Sequence, residues 1–153
     1  MNEAVASSRQ LDALRKRLEA TFSRIDALKG TDLEVRSDFA RYLTILVSGY
    51  VETAAAQIMT EHCENHARST VSNYAGNRLG QLRNLKSEQL LQLVGGFDSA
   101  WRAELKKFMA GSRFDALNSV VALRNEIAHG NPVGVTYARV YGYYVEVQQV
   151  IKF

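Results

Sequence analysis

A chain of 153 residues with 46% hydrophobic and 23% charged side chains can build one ordinary core and is too short for two comfortable domains. Its single cysteine, Cys63, excludes an intrachain disulfide. The net charge is only +3, but it is uneven: residues 1–65 carry 8 basic and 10 acidic groups, residues 66–113 carry 8 and 3, and residues 114–153 carry 3 and 3. Positive charge clustered in the middle third can attract phosphates without reading a sequence, although a solvated Lys and Arg face is the commoner cause.

One domain over residues 1–153 is therefore expected, with residues 1–30 forming an amphipathic helix packed on its core. The chain begins with Asn2, Glu3 and Ala4 rather than a basic and apolar leader, which points to a reducing cytoplasm.

Ser7 and Gln10 have capping-box spacing, and Leu11, Leu14, Leu18, Ile25 and Leu28 follow at helical intervals until Gly30. Thr31 and Glu34 repeat the box and predict a second, longer helix to about residue 66, with a bend near Gly49 and an antiparallel packing on the first. Residues 42–59 are the most apolar run, but Thr44, Ser48, Glu52 and Gln57 interrupt it, so a buried helix is expected and a membrane span is not.

Ser69, Ser72, Asn73, Gly76, Asn77 and Gly80 are poor helix formers, which predicts a short helix and a loop over residues 68–83. Ser87 is expected to cap residues 88–94, with Gly95 and Gly96 as the stop; Asp98 then caps a helix carrying Trp101, Leu105, Phe108 and Met109, closed by Gly111. A helix over residues 114–129 ends at Gly130, Asn131 and Pro132. The last begins near Thr136 and carries Tyr137, Val140, Tyr141, Tyr144, Val147 and Ile151. The fold class read from this pattern is all-α, a helical bundle with a long antiparallel pair plus shorter helices.

One turn concentrates chemistry: Leu123-Arg124-Asn125-Glu126-Ile127-Ala128-His129-Gly130. At about 100° per residue, Asn125 and His129 share a helix face, and Arg124 sits at its seam. Leu117, Val120, Val121, Ile127 and Ala128 around them predict a largely buried helix whose polar groups need a cleft or partner surface. The helix dipole and Glu126 would favour imidazolium at His129, and an imidazole titrating near neutrality suits proton transfer.

Arg124, Asn125 and His129, placed before a Gly-Asn-Pro turn and a final helix rich in Tyr and Val, resemble the signature of the HEPN superfamily. The likeness is nearest to its RiboL-PSP-HEPN branch and spans residues 38–153. The resemblance implies a metal-independent endoribonuclease acting on RNA as a homodimer, with no cofactor and no metal, and with Arg124 and His129 of both chains in one composite site. It implies a toxin–antitoxin or phage-defence setting and a cognate antitoxin or effector protein as partner. The other reading is a catalytically silent HEPN-like module that binds RNA, a nucleotide or a partner protein. HEPN forms controlled by a nucleotidyltransferase carry a tyrosine two residues after the motif histidine; here that residue is Asn131.

Glu52, in a helix apolar nearly all round, needs a cation or donors opposite if buried, and Arg124 is the candidate; the alternative is an exposed edge. HEPN proteins often face the motif with such a residue, so Glu52 and Glu126 are the supporting members of the expected site. His62, Cys63 and His66 offer two imidazoles on one face but no third metal ligand at convincing spacing. Residues 76–80, Gly-Asn-Arg-Leu-Gly, lack the strand, lysine and hydroxyl of a phosphate loop and read as a turn. The tyrosine stripe reads as core, with Tyr143 as a candidate for stacking on RNA.

Overall fold

The computed structural model describes residues 2–28 and 30–153, with side chains from residue 9 onward except residue 29. Among these the chain forms α1 (Asn2–Asp26), α2 (Leu33–His66), α3 (Ser69–Leu79), α4 (Ser87–Phe97), α5 (Ser99–Met109), α6 (Ser112–Ala128) and α7 (Tyr137–Lys152), and no strand. The all-α bundle expected from the sequence is the observed class.

The axis of the bundle is α2, whose 34 residues extend about 50 Å at 1.5 Å each. Ala40, Leu43, Thr44, Val47, Ser48, Val51, Ala54 and Ala55 are buried along it, a stripe recurring at three and four residues. It stays helical through Gly49, where a bend was expected. Its cap is Asp32, whose carboxylate accepts from Glu34 N, rather than Thr31, whose hydroxyl donates to the Leu28 carbonyl. Helix α1 extends back to Asn2, so Ser7 is not its start; the Ser7 side chain lies outside the described residues.

Helices α1 and α2 are antiparallel: a turn joins Asp26 to Leu33, and at the far end Gln57 Nε2 donates to Gln10 Oε1 at 3.0 Å. Phe22 of α1 enters the core and packs edge-on to Tyr137 and stacks on Tyr144 of α7. The tyrosine stripe thus docks α1 onto α7, and Tyr143, half-buried against the core, is no open platform.

Two corrections concern α4. Helix α4 starts at Ser87 and passes through Gly95 and Gly96 to Phe97. Ser87 is fully buried and fastens the helix start to α6: its N–H donates to Asn118 Oδ1 at 2.9 Å and its hydroxyl to the Phe114 carbonyl at 2.7 Å. Gly95 does not stop the helix, and it lies where the Arg102 side chain of α5 packs on α4. A Cβ there would meet Arg102 Cδ at 2.7 Å.

Candidate active site

Helix α6 carries the motif, and its two halves differ. Ala116, Leu117, Val120 and Val121 are buried between α2 and α7, as the apolar spacing requires. The last turn instead emerges: Arg124, Asn125 and Ile127 are half-buried, while Glu126, Ala128 and His129 are exposed. The largely buried helix expected from the spacing is therefore buried in its first half and open at the motif.

Gly130 decides where the helix stops. At φ 73 it takes the left-handed conformation, its N–H donates to the Ile127 carbonyl, and Asn131 N–H reaches the Glu126 carbonyl at 3.0 Å. This paired closure is a Schellman motif, and it makes His129 the C-cap residue. Glu126 does not turn toward His129. Its carboxylate accepts from Asn131 Nδ2 at 2.7 Å and ties the motif to the loop that follows. That loop is held from the other side by Arg41 of α2, whose Nε donates to the Val133 carbonyl at 3.0 Å.

Arg124 does not pair with Glu52. Its Nη1 donates to two neutral amide oxygens, Asn125 Oδ1 and Asn84 Oδ1, each at 3.1 Å. Glu52 is half-buried, and its Oε1 accepts from the backbone N–H of Asn84 at 2.7 Å. Asn84 therefore stands between the carboxylate and the guanidinium. Nothing in the sequence singled it out. It lies in the loop between α3 and α4 at φ 54, the left-handed region that asparagine tolerates better than other non-glycine residues. The loop is fixed just after it, by buried Leu85 and by Ser87, which is bonded to Asn118 of α6.

The structure thus joins Glu52, Asn84, Arg124 and Asn125 in one hydrogen-bonded chain and leaves the His129 ring, among the described residues, without a hydrogen-bond or ion-pair partner. A polar groove of about 550 Å³ runs from Glu52 between α2 and α3, lined further by Thr53, Thr60, Glu64 and Arg83. The family model described as RiboL-PSP-HEPN matches residues 11–153. The chain belongs to the RiboL-PSP-HEPN family. No curated protein and no solved structure matches it.

HEPN domains are all-α bundles that often bind RNA or dimerise, and the superfamily includes ribonucleases. In this HEPN chain, the other candidates of the sequence are engaged elsewhere. His62 and His66 stack at 4.3 Å, His66 Nδ1 meets the His62 carbonyl at 2.8 Å, and Cys63 is buried. Residues 76–79 belong to α3, so the expected turn is the end of a helix.

Shifted acidities mark the junction of α1, α2 and α7. Burial raises the Tyr144 hydroxyl above the ordinary phenol range, helped by its hydrogen bond to Glu19, and burial likewise raises Tyr50 and Tyr137. Among the described residues no helix is long and apolar enough to cross a membrane.

Proposed function

We propose that this HEPN domain is a metal-independent endoribonuclease in which Arg124, Asn125 and His129 form the reacting group, with Glu52 and Glu126 in support. One observation carries the reading: Arg124 is held on neutral oxygens rather than on a carboxylate, at the end of the same helix that leaves the His129 imidazole open. A guanidinium so held is oriented without being neutralised, and is suited to a phosphate oxygen.

Cleavage then draws only on side chains of this chain and of a second copy. His129 takes the proton of an RNA 2′-hydroxyl as its oxygen attacks phosphorus. The bond from phosphorus to the 5′-oxygen breaks, a second imidazole protonates that oxygen, and Arg124 stabilises the charge on the phosphorane. Asn125 orients the Arg124 guanidinium, and Glu126 fixes the turn beyond His129 through Asn131.

The second imidazole comes from a second copy. At about 100° per residue, Arg41, Ile45 and Glu52 share one strip of α2. Arg41 and Glu52 reach the motif loop and Asn84, while Ile45 is 43% exposed and neighbouring Tyr42 50% exposed. Exposed Tyr42 and Ile45, on the helix that meets the motif loop, support a homodimer that covers them together with the motif. The groove at Glu52 gives room for a nucleotide of the bound RNA. A cytoplasmic toxin–antitoxin or phage-defence setting, with a cognate antitoxin or effector protein, suits such an activity.

Among the described residues no side chain orients the His129 ring, which favours a second reading, an HEPN module that binds RNA without cutting it. Incubation of wild-type and His129→Ala protein with total RNA separates the two. Cleavage by wild type alone is the expected result; RNA that is bound and left intact by both proteins supports the binding module.

A further inference from the structure

Glu52 and Arg124 both reach Asn84, one to its backbone and one to its side chain, and make no ion pair with each other. A carboxylate and a guanidinium that share one neighbouring residue attract each other. A guanidinium in such a pair has its donors occupied and its field cancelled, so it stabilises a phosphate poorly. Asn84 gives each group another partner. Its N–H engages one Glu52 oxygen at 2.7 Å, and its amide oxygen gives Arg124 a neutral partner at 3.1 Å. To present both groups at once the residue takes φ 54, a conformation found sparingly outside glycine and one that persists only when the surroundings impose it. Here buried Leu85, the Lys86 N–H bond to the Asn84 carbonyl and the Ser87 anchor on α6 impose it.

We infer that Asn84 is a positioning residue that holds the Arg124 guanidinium apart from Glu52 and so keeps its charge available to an anionic oxygen of the substrate. The catalytic half of this inference rests on the ribonuclease reading above; the separation of the two side chains does not.

Two variants test it. Asn84→Gly retains the left-handed backbone and the N–H to Glu52 but removes the amide that holds Arg124. Glu52→Gln keeps an acceptor for the Asn84 N–H and removes the charge that would capture Arg124. On a mixed-sequence RNA oligonucleotide, Asn84→Gly should lower kcat about tenfold with KM within a factor of two, at an unchanged melting temperature. Measured against Glu52→Gln alone, the double variant Asn84→Gly with Glu52→Gln should show little of that loss, which no merely structural role for Asn84 would produce. Nitrogen-15 spectra of the Arg124 guanidinium give a readout independent of activity. Its Nη signals should shift in Asn84→Gly and return toward the free-arginine position in the double variant.

Full activity in Asn84→Gly, or a loss that Glu52→Gln does not relieve, would overturn the inference. If wild-type protein leaves the RNA intact, the ribonuclease reading falls, and the guanidinium spectra alone then decide the separation: unchanged Arg124 signals in Asn84→Gly refute it.

Discussion

The Tyr144 hydroxyl donates to Glu19 Oε1 at 3.0 Å, a bond between the last helix and the first across 125 residues of sequence. Gln148 Nε2 donates to the same carboxylate oxygen and to the Tyr144 oxygen, so the junction is a closed polar triangle beside Phe22. Because burial and Glu19 raise the folded pKa of Tyr144, the folded protein keeps this proton at a pH where the unfolded chain, near 10, has begun to lose it. The folded state then binds more protons than the unfolded state, and stability falls as pH rises above about 10.

Tyr144→Phe should therefore flatten the alkaline decline while costing about 1 kcal/mol at neutral pH through the lost hydrogen bonds. Thermal melts between pH 7 and 11 check both effects. An alkaline decline as steep in the variant as in wild type would assign it to other groups, Tyr50 and Tyr137 first.

Gly130→Ala should destabilise the protein by roughly 1–2 kcal/mol, because φ 73 is a conformation that a Cβ disfavours. No atom lies within 4 Å of where that Cβ would sit, so the cost is backbone strain and not a clash. Asparagine, more tolerant of this region, should cost less than alanine, and denaturant melts of the two variants give the order.

Ser87→Ala removes the hydroxyl's bond to the Phe114 carbonyl and should cost about 1 kcal/mol. The same change should loosen the loop that carries Asn84. Hydrogen exchange at residues 82–86 should rise more than exchange in α2, and uniform change across the two would refute a local anchor.

How much of this was legible in the sequence follows from the range of each interaction. Asp98, Thr136, Gly111 and Gly130 punctuate helices through bonds to residues within a few positions, and each stands where its residue type predicted. Ser87 and Gly95 carry the same local signals but answer to distant partners, Phe114 and Arg102, so one became a buried anchor and the other a point of close approach. The motif itself was readable because six consecutive residues on one helix carry it, and the match over residues 11–153 agrees with the resemblance they suggested. The expected pairing of Glu52 with Arg124 was right in neighbourhood and wrong in contact, since it hinged on where a loop residue 32 positions after Glu52 would land. Spacing within helices carries no information about that.

The most direct test of the central claim is the chemistry of the RNA ends, read by mass spectrometry after incubating mixed RNA with wild-type, Arg124→Ala and His129→Ala protein in excess EDTA. Wild-type protein should give fragments ending in a 2′,3′-cyclic phosphate, and both variants should give none while melting near wild type. Fragments ending in a 3′-hydroxyl, cleavage that EDTA abolishes, or full activity in His129→Ala would contradict it.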